Sequence, residues 1–144
     1  MKKALFFLIL VVALSAINSN CKRESEDCHY FIKMQNNSNK AIYIRDYGSY
    51  PDTISFKYDP NPALDPSSYK LVASGVKEYG SKNDCIENKF KYYILSDTLM
   101  IFIFDAQTLE TTPWDTVCKK YMVLKRYDLS LADLQRMNWT ITYP

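Results

Sequence analysis

The sequence predicts a mainly β or α+β fold, with sandwich-like antiparallel sheets partly covered by two or three short helices. Three observations predict it. Apolar residues occupy every second position over residues 30–34 and 139–143, which is typical of strands with one buried face. The run Leu99–Phe104 is continuously apolar, as in a strand buried on both faces. Patterns that start helices occur at Thr112 and Ser130, each ahead of a short segment.

The first half of the chain predicts short strands joined by turns. A strand over residues 30–34, an Asn- and Ser-rich turn over 36–39 and a strand over 41–45 together predict a hairpin. A third strand is expected over Thr53–Tyr58. Three prolines within Asp59–Ser68 exclude regular strand pairing, so a loop is expected there.

The middle of the chain predicts one helix between two strands. A short strand is expected at Lys70–Ala73, and the apolar run Leu99–Phe104 is the best candidate for a central strand. Between them, four apolar residues recur at helical spacing and predict a helix with one buried face: Ile86, Phe90, Tyr93 and Ile94.

In the last third of the chain, the sequence marks the starts of helices more clearly. A threonine–proline pair before Trp114 predicts a helix start, and a strand over Met122–Tyr127 follows. A Ser-x-x-Asp capping box at Ser130 opens another short helix. The final strand, Trp139–Tyr143, presents an apolar face, so we expect it to dock into the sheet with Trp139 in the core.

The N-terminus has the pattern of an exported lipoprotein. Lys2 and Lys3 precede the apolar run Ala4–Ile17, which is too short to span a bilayer comfortably, and Cys21 follows. We expect cleavage before Cys21 and attachment of fatty acyl chains such as palmitate to it. The alternative is an ordinary secretory signal that is cut near Ala16 and leaves Cys21 as a disulfide partner.

These patterns divide the chain into three parts: a lipoprotein signal peptide (1–20), a charged tether (21–27) and a single globular domain (28–144). The mature chain carries 16 basic and 16 acidic side chains, because residues 1–20 hold two of the 18 Lys and Arg residues and no acid. No Lys or Arg run marks a nucleic-acid surface, so a nucleic-acid partner is not expected.

Cysteine usage predicts one disulfide. If Cys21 is lipidated, Cys28, Cys85 and Cys118 remain, which allows at most one bond and one free thiol. The sequence leaves the pairing open; we favour Cys28–Cys85, which would fix the start of the domain to its body. No two cysteines have Cys-x-x-Cys spacing and the chain has one histidine, so no metal site is expected.

The sequence lacks several familiar catalytic motifs. It contains no His-Glu-x-x-His, no Gly-x-Ser-x-Gly and no Gly-rich phosphate loop. His29 is expected to be an ordinary strand residue, although Cys85 or Cys118 could approach it in space. Asp59 and Asp65 are expected to be solvated loop acids, because their spacing is not that of a calcium site. We therefore expect a protein that is not an enzyme and uses no cofactor.

Two features point to surface contacts or modification. Tyr47 and Tyr50 lie in a turn-rich loop, where tyrosines can contact glycans or proteins; the alternative is that they seal the edge of the core. Asp-Thr followed by an aliphatic residue occurs at Thr53, Thr98 and Thr116. This resembles the acceptor pattern for protein O-glycosylation in Bacteroidota, with Thr53 as the best candidate because it lies near a loop.

The segments 97–106, 114–115, 123–129 and 138–144 resemble a group of small lipoproteins of unknown function from Bacteroides and its relatives. The charged segment after Cys21 also resembles the acidic export signal of Bacteroidota lipoproteins. The resemblance implies a cell-envelope location, with the outer membrane as the anchor site and the domain facing the periplasm or the surface. It implies no activity and no site residue.

The leading hypothesis from the sequence is an envelope-anchored lipoprotein of non-enzymatic binding type, with a membrane contact through its lipid and a glycan or protein as partner. An alternative is an immunity-type lipoprotein that neutralises a competitor's toxin. A third hypothesis is an envelope hydrolase with an unfamiliar site.

Overall fold

A computed structural model describes residues 28–51 and 55–144 of the chain. The predicted signal peptide, the predicted lipidation site Cys21, the predicted tether and the glycosylation candidate Thr53 lie outside the described residues. Seven strands form in the described ranges: β1 (Phe31–Asn36), β2 (Ile42–Tyr47), β3 (Lys70–Leu71), β4 (Val76–Gly80), β5 (Leu99–Asp105), β6 (Lys125–Leu129) and β7 (Thr140–Tyr143).

Short helices lie between the strands. The described residues form five α-helices: α1 (Pro66–Tyr69), α2 (Ile86–Tyr92), α3 (Ala106–Thr111), α4 (Trp114–Lys119) and α5 (Leu131–Arg136). Two 3₁₀ helices, Ser55–Tyr58 and Pro62–Leu64, precede α1. The chain thus has more helices than the two or three expected, because short capped turns fill the connections.

The strands form two sheets. One has three strands in the order β4-β1-β7, with β1 antiparallel to β4 and parallel to β7. The other has four antiparallel strands in the order β3-β2-β5-β6. The predicted fold class is confirmed: the protein is α+β, with sandwich-like sheets that are mostly antiparallel.

The two sheets share an inner apolar core. Alternate side chains of β2 and β5 pack against β1 and β7, because successive residues of a strand point to opposite faces. This inner core contains Ile32, Met34, Ile42, Ile44, Leu99, Ile101, Ile103 and Ile141. Helices α2 and α5 add Ile86, Phe90 and Leu134 to it.

A second core, largely aromatic, covers the outer face of the four-stranded sheet. Its strand residues are Tyr43, Tyr47, Met100, Phe102 and Phe104. Phe56, Leu109 and Val117, from a 3₁₀ helix, α3 and α4, cover them. Strand β5 is therefore buried on both faces, which explains its continuous apolar run and confirms it as a central strand.

The predicted hairpin is wrong. Strands β1 and β2 belong to different sheets. The side chain of Asn36, fully buried between them, donates to the carbonyl oxygens of Lys40 and Val72 at 2.7 and 2.9 Å. Its own side-chain oxygen accepts from Ser38 at the backbone N–H and at the hydroxyl. The turn residues thus fix a crossover between sheets rather than a two-strand turn.

Several element boundaries also differ from the prediction. The last four residues of the expected strand Thr53–Tyr58 form a 3₁₀ helix, because a single anchor, Phe56, enters the aromatic core. The expected strand Met122–Tyr127 is shifted to β6, where Leu129 pairs with Leu99. The threonine–proline pair does not supply the expected cap, since the N-cap of α4 is Pro113 and makes no side-chain hydrogen bond.

The C-terminal predictions agree with the structure. Ser130 and Asp133 form the expected capping box at the start of α5. Strand β7 is hydrogen-bonded to β1, and Trp139 just before it is only 9% exposed. The C-terminal strand is therefore docked, with Trp139 in the inner core.

Candidate functional site

A cleft lies between the C-terminal ends of β2 and β4 and helix α2. Its volume is about 480 Å³, within the range that holds small ligands. Four apolar side chains contribute to its wall: Ile32, Ile86, Ile94 and Leu99. Polar groups also line it: Asp46, Ser49, Tyr79, Asp84, Lys89 and Tyr93. A ligand with apolar faces and several polar groups would match this lining.

One hydrogen bond joins the two sheets at the cleft. The Tyr79 hydroxyl, on β4, donates to Oδ1 of Asp46, on β2, at 2.5 Å. Burial raises the pKa of Tyr79, and the nearby Asp46 carboxylate raises it further. The phenol is therefore a fixed hydrogen-bond donor and not a base at ordinary pH. It engages one oxygen of Asp46 and so orients the carboxylate at the cleft wall.

Glycines allow the backbone to come close at this end of the sandwich. At Gly80 (φ +157°), a Cβ atom would lie 2.2 Å from the Tyr30 carbonyl oxygen, so a side chain does not fit. At Gly48, a Cβ atom would meet the Ile94 side chain at 3.2 Å. The loop after β2 can therefore lie against the segment that follows α2.

The cleft continues as a more polar depression along β4. This second section has a volume of about 320 Å³ and shares Asp46, Tyr79, Gly80 and Lys89 with the first. Its other lining residues are Ser68, Tyr69, Lys77, Glu78 and Ser81. The two sections share polar residues at their junction, and together they offer room for an extended polar ligand.

The predicted contact loop borders the cleft only in part. Gly48 and Ser49 line it, and so does Tyr47. The Tyr47 ring, however, packs in the aromatic core against Phe102, with centroids 5.6 Å apart. Tyr50 is 41% exposed and lies near the Arg126 guanidinium, 5.7 Å from ring centroid to Cζ. The exposed aromatic residue at the cleft is instead Tyr93.

A second cluster gathers around the start of the domain. Cys28 and Cys85 lie at disulfide distance, with Cα atoms 5.5 Å apart, whereas Cys118 is buried and unpaired. The Nδ1 atom of His29 lies 2.7 Å from Oε1 of Glu87, and its backbone N–H donates to Oε2 at 2.8 Å. His29 lies before β1 and not on a strand, so the expectation of a strand histidine is wrong. Its imidazole instead pairs with a carboxylate on α2.

The same cluster holds the one group with metal-ligand composition in the described ranges. The sulfurs of Cys28 and Cys85 and a carboxylate oxygen of Glu87 lie within 4.8 Å of one another. Thiolates are the ligands that zinc would use here. A disulfide removes both thiolates, so disulfide formation and metal binding exclude each other at this position.

Other polar residues have structural partners. Asp65 caps α1 by accepting from the Ser68 backbone N–H at 3.2 Å. Asp59 forms an ion pair with Arg45 at 3.2 Å. Ser67 and Lys70 have the Ser-x-x-Lys spacing of some acyl-transfer enzymes, a spacing that the sequence reading missed. The Ser67 hydroxyl, however, donates to Asp65, and the Lys70 ammonium contacts Glu110 at 2.6 Å.

The two glycosylation candidates within the described ranges are both partly buried. Thr98 lies just before β5, and Thr116 lies within α4.

Sequence reasoning missed the residues that form the cleft. Asp46, Tyr79 and Lys89 come from three elements, and one of these, strand β4, was not predicted because its sequence VKEYG has little apolar alternation. Tyr93 was assigned to the buried face of a helix, but α2 ends at Tyr92 and Tyr93 is 71% exposed. The sequence offered one local signal for an exposed tyrosine at this position: two adjacent tyrosines at the end of a short amphipathic segment.

None of the helices in the described ranges has the length and apolar composition needed to cross a bilayer. Comparison with protein-family models, with curated proteins and with solved structures finds no significant match.

Proposed function

We propose that this protein is an envelope-anchored lipoprotein that binds a glycan in the cleft between β2, β4 and α2, without catalysing a reaction. The observation that carries the proposal is the composition of the cleft. Apolar walls lie beside two carboxylates, an ammonium group and the hydroxyls of serine and tyrosine side chains. Sugars present apolar C–H faces and many hydroxyl groups, and tyrosine and carboxylate side chains match these two features.

The proposal includes the location predicted from the sequence: cleavage before Cys21, lipidation of that cysteine, and a domain tethered to the outer membrane by residues 21–27. The proposal also includes membership of the group of Bacteroides lipoproteins that the sequence resembles. Cys21→Ala should abolish incorporation of labelled fatty acid and release the protein from membranes. Unchanged labelling and membrane association would contradict this part of the proposal.

A glycan array probed with the purified mature chain tests the ligand class. Asp46→Asn and Lys89→Ala should each weaken binding to the recognised glycan by about tenfold or more, because each removes a charged hydrogen-bonding group from the cleft. Asp115→Asn and Lys119→Ala are matched controls, since both residues are exposed on α4, on the other side of the four-stranded sheet. They should leave binding unchanged.

Failure to bind any glycan would contradict the proposed ligand class. The immunity hypothesis makes a different prediction: a strain that lacks the gene would lose competitions against toxin-producing neighbours. Substitutions in the cleft would leave the outcome of these competitions unchanged, unless the toxin binds in the cleft.

A further inference from the structure

An exposed apolar tip follows helix α2. The tip is formed by the side chains of Tyr92, Tyr93 and Leu95, which are 58%, 71% and 92% exposed. Single exposed apolar residues are common on protein surfaces, but three within four positions are a patch. Ile94 lies between them and is 5% exposed, because it is packed into the inner core.

The tip is held in a defined position. The backbone N–H groups of Tyr93 and Ile94 both donate to the Lys89 carbonyl oxygen at 2.9 Å. With Ile94 anchored in the core, the backbone that carries the three exposed side chains is held in place. No backbone ordering is therefore needed at the tip when it binds a surface, which lowers part of the entropic cost of binding.

The tip also lies near the point where the chain enters the domain. Cys28 is at disulfide distance from Cys85, the residue just before α2. A seven-residue helix is about 10 Å long, so the tip begins roughly one helix length from Cys85. The chain from Cys21 to Cys28 can extend to at most about 25 Å. A lipid on Cys21 would thus keep the tip within reach of the bilayer.

The chemistry of the tip matches a lipid interface. Tyrosine rings favour the headgroup level of a bilayer, and a leucine favours the acyl region below it. The Lys91 ammonium lies 5.0 Å from the centre of the Tyr92 ring, and Lys89 is in the same turn. Lysines at this position favour anionic headgroups.

We propose that the Tyr92–Leu95 tip seats the domain on the lipid bilayer that holds Cys21. The nearness of the tip to the bilayer rests on the proposed lipid anchor at Cys21. The tip itself is a second, weak membrane contact that adds to one lipid anchor, in the way that two modest signals combine to give stable attachment. Contact at the tip would orient the domain relative to the bilayer.

The test uses the lipidated mature protein in vesicles of phosphatidylethanolamine and phosphatidylglycerol, with and without brominated acyl chains. Leu95→Trp places a fluorescent reporter on the tip. Leu64→Trp is the matched control, because Leu64 is 78% exposed and lies beside Trp114 on the outer side of the four-stranded sheet. Emission of the Leu95→Trp variant should be blue-shifted and quenched by brominated lipid, after subtraction of wild-type emission, whereas that of the Leu64→Trp variant should not.

Flotation separates the two proposals. Protein that floats with the vesicles but shows no quenching at position 95 would overturn the membrane contact and leave the lipid anchor intact. Protein that does not float would overturn the anchor.

A second arm uses the unlipidated Cys21→Ala chain and tests the tip by itself. Replacing Tyr92, Tyr93 and Leu95 by serine should lower vesicle partitioning by about tenfold or more. Replacing Tyr58 and Leu64 by serine should not lower it. Equal partitioning of the two variants would overturn the proposal, as would binding to a partner protein that protects the tip while vesicles do not.

Discussion

The ring of Trp139 stacks on the imidazole of His29, with centroids 3.9 Å apart and planes inclined by 18°. The two residues join the last strand of the chain to the first residues of the domain. The Trp139 carbonyl oxygen also accepts from the Lys33 backbone N–H at 2.8 Å, which places β7 beside β1. The start and the end of the domain therefore stabilise each other.

Trp139→Ala is expected to lower the free energy of unfolding by about 3–5 kcal/mol, because it removes a large buried side chain and leaves a cavity. Denaturant unfolding of the purified domain measures it. Trp139→Phe keeps part of the volume and should cost less. Deletion of residues 139–144 should give an insoluble or rapidly degraded protein. A truncated chain that keeps its cooperative melt would show that β7 contributes little to the fold.

Cys28 and Cys85 should form the one disulfide of the mature protein, with Cys118 free. Non-reducing peptide mapping identifies the bond. Because it joins cysteines 57 positions apart, its reduction should lower the free energy of unfolding by about 2–4 kcal/mol. Cys118→Ala is the control and should leave the mapped bond in place. A bond that includes Cys118 would refute the pairing, and a bond to Cys21 would also refute the lipid anchor.

Glu87 should make stability depend on pH in the acid range. Burial opposes its ionisation, but the hydrogen bonds from the backbone N–H and the imidazole of His29 outweigh burial and hold the pKa of the carboxyl below its ordinary value of 4.5. A carboxyl with a lowered pKa stabilises the fold above its unfolded pKa, and this contribution is lost as the pH falls through the folded value.

The difference in the free energy of unfolding between wild type and Glu87→Gln should therefore be largest above about pH 4.5 and should shrink below it. Glu78→Gln, which replaces an exposed carboxylate on β4, should have a small effect throughout. If the difference in unfolding free energy between wild type and Glu87→Gln stays constant from neutral pH into the acid range, the lowered pKa of Glu87 is contradicted.

The fold class could be predicted from the sequence because the strongest patterns are local. The continuous apolar run of β5 and the capping box at Ser130 depend on residues close together in the chain. Pairing between strands was less predictable. The crossover after β1 depends on Asn36, whose amide reaches the Val72 carbonyl oxygen from 36 positions away, and no short-range pattern encodes such a contact.

The cleft could not be predicted for the same reason. Asp46 and Tyr79 are 33 positions apart and lie in different sheets, so their hydrogen bond exists only after the sheets have packed. Tyr93 has helical spacing with Ile86 and Phe90, which predicts burial. The helix ends before Tyr93, and Ile94 takes the core position instead.

The Tyr79–Asp46 hydrogen bond should contribute to stability as well as to the cleft. It is a bond between a partly buried hydroxyl and a carboxylate, so Tyr79→Phe should lower the free energy of unfolding by about 1–3 kcal/mol. Asp46→Asn should cost less, because its amide oxygen can still accept. Tyr127→Phe is the matched control: the Tyr127 hydroxyl donates to the Thr142 carbonyl oxygen in an exposed bond that also joins the two sheets.

A double-mutant cycle with Tyr79→Phe and Asp46→Asn measures the coupling between the two side chains directly, because the residues are in contact and their effects should not add. Burial keeps the pKa of Tyr79 high, so the coupling should be the same at neutral and at mildly alkaline pH. Equal losses of unfolding free energy for Tyr79→Phe and Tyr127→Phe would show that water replaces the Tyr79 hydroxyl as the hydrogen-bond partner of Asp46. Asp46 would then be a mobile group at the cleft rather than an oriented one.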